Sequence, residues 1–195
     1  MKHTINILTI IFFLSFSMTS SAQEFSIDKD KSALKWHAEK ITGEHEGFIQ
    51  LKSGELELRD AKITKGVFVI DMPTIEVSDL SGKSKENLEN HLKSDDFFGV
   101  EKHKEAKLEI TESGSFATGY AKVKGNLTIK GITNPIEFSA IREKSEDGQI
   151  FYSKITVDRT KYGIKYNSGK FFDNLGDKAI YDEFSLGVKI YAKEK

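Results

Sequence analysis

The sequence predicts an all-β protein: a sandwich or closed barrel of short antiparallel strands, with one short helix and irregular caps. Three observations carry that expectation. Apolar residues recur at every second position through most of the chain, the period of a strand with one dry and one wet face. Turn-forming pairs separate these runs at Ser53-Gly54, Lys65-Gly66, Ser113-Gly114, Asn134-Pro135 and Asp147-Gly148. The 195 residues contain no cysteine, so the sheet must manage its edges without disulfides, and closing it on itself does so.

The first 22 residues read as an address. Lys2 supplies a positive start, residues 5–16 are mostly apolar, and Thr19-Ser20-Ser21-Ala22 closes the segment with small side chains. Ser20 and Ala22 occupy the −3 and −1 places that a signal peptidase reads, which puts cleavage before Gln23. The apolar run is short against the roughly 20 residues of a membrane-spanning helix, and no cysteine follows it for a lipid anchor. The expectation is a signal peptide over 1–22 and one domain over 23–195, periplasmic or else secreted, and not membrane-spanning after processing.

The strands then follow in order. Leu34, Trp36 and Ala38 alternate with Lys35, His37 and Glu39. Runs of the same kind occupy 48–51, 56–58, 67–72, 107–110, 123–130, 136–141 and 151–157. Residues 182–193 place Phe184, Leu186, Val188, Ile190 and Ala192 on one face. Residues 83–92 break the pattern, with Leu88, His91 and Leu92 at the spacing of one helical face. Residues 167–178, with two glycines and Phe171-Phe172-Asp173-Asn174, read as irregular. No repeat or linker divides the chain.

Composition excludes several functions. A formal net charge of −1 does not suit a nucleic-acid binder. The absence of cysteine removes thiol catalysis, Fe–S clusters and cysteine zinc sites. There is no G-x-S-x-G elbow, phosphate loop or dinucleotide fingerprint. His37, His45, His91 and His103 show no metal-ligand spacing, so no metal is assigned. His45 and His91 are the two suited to a shared pocket, while His37 and His103 read as solvated. The acidic pairs Asp95-Asp96 and Glu44/Glu46 read as solvated too, and no catalytic residue is assigned. The positive signal is apolar: 11% of residues are aromatic, spread over nearly every element. A barrel of about eight strands fills its interior with side chains or holds one small ligand, and periodicity does not separate these cases.

Three stretches carry a family resemblance. Residues 125–136, GNLTIKGITNPI, match a G-x-LTI-x-G-V/I-T-x-P-V/I strand and turn; residues 91–98, HLKSDDFF, match an L-x-S-x-D-F-F segment after a short helix; residues 158–164, DRTKYGI, match R-x-x-F/Y-G-I. With Phe25-Ser26-Ile27-Asp28 and Ser32-Ala33-Leu34-Lys35-Trp36 at the start, the chain resembles the YceI-like family of lipid- and polyisoprenoid-binding envelope proteins, from about Phe25 to Ala192. Lys102-His103-Lys104 departs from the family's usual Tyr-Pro pair before Leu108.

The resemblance implies an extended antiparallel, lipocalin-like barrel of about eight strands around an apolar pore. The bound molecule it implies is a polyisoprenoid, a quinone-like lipid or another long amphiphile, with no further cofactor. The expected lining is Trp36, Phe48, Phe68, Ile70, Leu108, Ile110, Leu127, Ile129, Phe138, Ile155, Phe184, Leu186 and Val188, with Phe97 and Phe98 as gate or cap. His45, His91, Arg159 and Tyr162 are candidate head-group contacts, Arg159 and Tyr162 having a structural alternative. A homodimer is left open. The rival functions are a metal- or histidine-dependent envelope enzyme and a stress-related interaction module with a filled core.

Overall fold

The computed structural model describes residues 21–195, so the signal-peptide expectation lies almost wholly outside the described residues. Eight strands run in chain order: β1 (Gln23–Lys40), β2 (Gly43–Arg59), β3 (Lys62–Val77), β4 (Glu105–Ser113), β5 (Tyr120–Ile129), β6 (Ile132–Ser145), β7 (Gly148–Asp158) and β8 (Ile180–Glu194). Each is antiparallel to the next, and β8 returns to β1, so the sheet closes as a barrel rather than a sandwich. The helix α1 (Gly82–Lys93) lies between β3 and β4. It buries no residue fully, but Leu88 and Leu92 pack on the core. Glu89 accepts a hydrogen bond from the Val77 amide at 2.9 Å, latching the helix to the end of β3.

Two of the expected strands are halves of one. Residues 48–51 and 56–58 both belong to β2, and Ser53-Gly54 marks a register shift against β3, not a turn. Lys65-Gly66 and Asn134-Pro135 likewise lie inside β3 and β6. Strands this long must bend to close, and a bulge or a glycine lets them do so. The actual β2–β3 turn is Asp60-Ala61, both left-handed at φ 51° and 58°. Lys130-Gly131 makes the β5–β6 turn in the same way, at φ 51° and 74°, as two-residue hairpin turns require.

The upper end of the barrel carries the β1–β2 turn, the segment with α1, the β5–β6 turn and the long connection from β7 to β8. The lower end carries the other turns. The β6–β7 ladder runs only from Ala140–Ser153 down to Ser145–Gly148. Above it the strands part, and a 3-10 turn, Arg159–Tyr162, packs against β6, where Asn134 Nδ2 donates to the Lys161 carbonyl at 3.0 Å. Pro135 falls in this one-sided stretch of β6, where a missing backbone donor is tolerated.

Candidate functional site

The inner face of the closed sheet is continuous hydrocarbon. Trp36 stands beside Gly47 of β2 and Leu186 of β8, and Leu34 beside Ile49 and Val188. Trp36 Nε1 donates to the Glu76 carbonyl at 3.0 Å. Gly47 makes that approach possible, because a Cβ there would lie 1.8 Å from the same carbonyl oxygen and 2.8 Å from the indole. Two chambers open inside. The upper has a cavity volume of about 130 Å³, the lower about 80 Å³, and Ile70, Leu108, Ile155 and Leu186 line both as a belt.

The expected lining residues fall as follows. Trp36, Phe97, Phe98, Leu127, Ile129 and Phe184 line the upper chamber; Phe68, Ile110, Phe138 and Val188 line the lower; Ile70, Leu108, Ile155 and Leu186 line both. Phe48 is a correction. It is 39% exposed on the outer wall, opposite Lys35, and its neighbours Ile49 and Leu51 take the inward positions. The run Phe48-Ile49-Gln50-Leu51 has apolar residues in both phases at its start, so alternation alone does not choose the face. Sequence reasoning missed Met72, Ile75 and Ile164 in the upper chamber. Met72 and Ile75 fall near or beyond the end of an expected strand, and Ile164 follows the 3-10 turn, so no period marked them.

Phe97 and Phe98 cap the upper chamber. Phe98 meets Phe184 edge-on at 6.3 Å. Phe97 joins His91 and Tyr166 in an aromatic cluster, with ring centroids 4.9 Å from His91 and 5.5 Å from Tyr166. His91 therefore stands at the mouth, with Nε2 3.3 Å from Asp96.

The other candidate head-group contacts are engaged elsewhere. Arg159 lines the upper chamber but is only 4% exposed. Its Nε donates to the Tyr181 carbonyl, Nη1 to the carbonyls of Ile164 and Tyr166, and Nη2 to the Ile180 carbonyl and Asp182. A guanidinium has five N–H groups, and all five have partners within the protein. Burial lowers its pKa, opposed by Asp182 and Asp158. Tyr162 is buried outside both chambers, and burial pushes its phenol up. His45 pairs with Asp79 at 2.8 Å, and Asp79 also accepts from the Glu46 amide at 3.0 Å. Burial alone would raise the Asp79 pKa, but these hydrogen bonds hold it below the usual carboxylate range. His45 thus ties the β1–β2 hairpin to the segment after β3. It shares no hydrogen bond or ion pair with His91.

Among the described residues, one group has metal-ligand proximity: His37, Glu39 and Glu44 on the outer wall. Nε2 of His37 faces Glu44 at 3.1 Å and Nδ1 faces Glu39 at 3.9 Å. The two carboxylates address opposite sides of one surface imidazole.

The sequence of residues 25–192, which spans this barrel, matches the YceI-like domain. The chain belongs to the YceI-like family. A UPF0312 protein of Staphylococcus aureus (strain USA300) is 40% identical over 101 residues, 48% of this chain and 56% of the relative. The chain thus spans about half the length of the curated relatives it matches. BcnA of Burkholderia cenocepacia shares the fold at a TM-score of 0.65 and 15% identity, over 86% of this chain and 99% of that one. A polyisoprenoid binding domain from Saccharophagus degradans does so at 0.63 and 12%, over 88% and 98%. The Campylobacter jejuni YceI protein follows at 0.55 and 16%, over 100% and 99%. At these identities the structural likeness establishes the fold.

Proposed function

We propose that this YceI-like protein is a carrier that holds a polyisoprenoid, or a similar long amphiphile, in its barrel in the periplasm and performs no catalysis. The observation that carries the reading is the chemistry of the inner wall. The chambers are lined almost wholly by aliphatic and aromatic side chains, and the cationic group and indole among them have their donors engaged by backbone carbonyls and Asp182. An apolar cavity of this order stays dry, so a hydrocarbon tail gains about 0.8 kcal/mol per CH₂ withdrawn from water. Ile70, Leu108, Ile155 and Leu186, which line both chambers, are the side chains a tail reaching from one to the other would pass. A quinone-like head inside the chambers would leave its carbonyls without donors, which favours the head at the mouth beside His91 and Asp96.

Native mass spectrometry of protein purified from its own cell envelope tests the reading. A co-purifying mass removed by organic solvent, and affinity rising with the chain length of added isoprenoid alcohols, are expected. A clean apo mass with no chain-length dependence overturns it.

A further inference from the structure

The outer wall holds an open groove of about 470 Å³ where the β6–β7 ladder stops, larger than either chamber inside the barrel. Gly187 of β8 lines it with backbone alone. Other strand glycines have a packing reason. At Gly47, Gly54, Gly66, Gly125 and Gly148 a Cβ would come within 3.0 Å of a neighbouring atom. Gly187 has no such reason. A Cβ there would meet nothing nearer than the Lys35 carbonyl oxygen at 3.6 Å, and its backbone stays out of the left-handed region. A glycine in mid-strand costs conformational entropy and forfeits side-chain packing, and it marks places where a ligand approaches the sheet closely. What Gly187 leaves is open space over β8.

Lysines ring that space. Gly187 stands directly opposite Lys35 on β1 and Lys154 on β7, with Lys189 two residues along its own strand. All three line the groove, and no carboxylate does. Neighbouring strands lie about 4.8 Å apart, so Lys35 and Lys154 are rooted about 10 Å from each other on either side of the bare position. Lys35 also meets Glu46 at 2.7 Å. Lys154 and Lys189 make no ion pair among the described residues. The carboxylates on flanking positions answer other groups or lie farther off. Glu137 meets Lys122, and Asp147 meets Lys31 and the Tyr191 hydroxyl. Glu143 stands opposite Ile150, two strands and two residues away from Lys189. An ammonium group binds phosphate as a compact point charge, and three of them surround a position that offers room for one.

The other side of the groove is apolar. Tyr120 and Ile141 are cross-strand partners, each 49% exposed, and Tyr152 stands opposite Ile141 on β7. The Tyr120 hydroxyl shares a hydrogen bond with Ser139 Oγ at 2.8 Å, which holds the ring against β6. Ser153 Oγ donates to the Ser139 carbonyl at 2.7 Å, where the ladder ends. We propose that this groove is a second binding site, separate from the pore, for a small molecule in which a flat ring carries a phosphate. The ring rests on Tyr120, Ile141 and Tyr152, and the phosphate lies over Gly187 among Lys35, Lys154 and Lys189. A neutral lipid makes no use of the lysines and a bare anion makes none of the rings; a ligand that joins the two uses both.

The test is calorimetric titration with 1-naphthyl phosphate, set beside 1-naphthol and inorganic phosphate. The wild type is expected to bind the ester at least tenfold more tightly than either half, and more weakly as salt rises. Gly187→Val fills the floor of the groove and should weaken binding at least tenfold. Valine suits a strand and its Cβ meets only an ordinary contact, so thermal melting should not fall. Lys154→Gln/Lys189→Gln should weaken binding by a similar factor without altering the floor. A wild type that does not bind the ester at millimolar concentration, or variants that bind it as the wild type does, overturns the proposal. The pore is read separately, from the fluorescence of Trp36, the sole tryptophan, on adding geranylgeraniol. Both variants should respond as the wild type does, and saturation with geranylgeraniol should leave the affinity for the ester unchanged. Displacement of the ester by geranylgeraniol would put it in the pore and overturn the second site.

Discussion

Arg159 shows how a residue's partners decide its role. The motif around it was legible in the sequence; its function required knowing where five N–H groups end. Four backbone carbonyls and Asp182 take them, so the side chain clamps the β7–β8 connection to the start of β8. Arg159→Lys keeps the charge but offers three donors from a single nitrogen, and we expect a loss of about 3 kcal/mol in urea unfolding, in line with breaking a buried, hydrogen-bonded charge. Unchanged stability with weakened isoprenoid binding would restore the head-group role. Asp158, one residue earlier, caps the 3-10 turn by accepting from the Thr160 amide at 2.9 Å. Burial would raise its pKa, but bonds from Thr160 and Lys170 outweigh that and lower it. A depressed native pKa stabilises the fold above the unfolded Asp value of about 3.9, and that stabilisation disappears as pH falls through the native value. Urea midpoints taken from neutral pH into the acid range should therefore fall less steeply in Asp158→Asn than in the wild type.

At the scale of elements, the hairpins explain what alternation conveys and where it stops. The β8 pattern was readable because every second residue from Phe184 to Ala192 is apolar and the strand carries one phase throughout. β2 was not, since Phe48 and Ile49 are adjacent and a register shift follows at Leu51. A shift of one residue exchanges faces, and only cross-strand pairing fixes which residue points inward. The β2–β3 turn places Ala61 at φ 58°, a conformation that disfavours any side chain. Ala61→Gly should raise stability by about 0.5–1 kcal/mol, the relief of αL strain exceeding the added chain entropy, measured as an upward shift of the urea midpoint with unchanged slope. Gly47 is the opposite case. Gly47→Ala would put a methyl into the Glu76 carbonyl and the Trp36 ring. We expect a loss of at least about 2 kcal/mol and a shift in tryptophan emission as the indole loses its hydrogen bond.

For the whole molecule, the deciding quantity is whether the pore is open enough to accept a chain. Ile129 is buried and lines the upper chamber. Ile129→Trp should fill that space, lowering geranylgeraniol binding at least tenfold while the barrel still folds. A fully packed interior would instead lose about 1–3 kcal/mol to overpacking with no change in ligand behaviour. Circular dichroism melts and the binding titration separate the two.

The sequence by itself determined the all-β class, the inward phase of most strands, the short helix and the family, because these depend on local period and on residue types at close spacing. The tertiary structure decided closure, since β8 meets β1 across almost the whole chain. It turned Phe48 outward, assigned Arg159 to the backbone and His45 to Asp79, and gathered Lys35, Lys154 and Lys189 around Gly187. Those facts depend on contacts between residues distant in sequence, which no local period encodes.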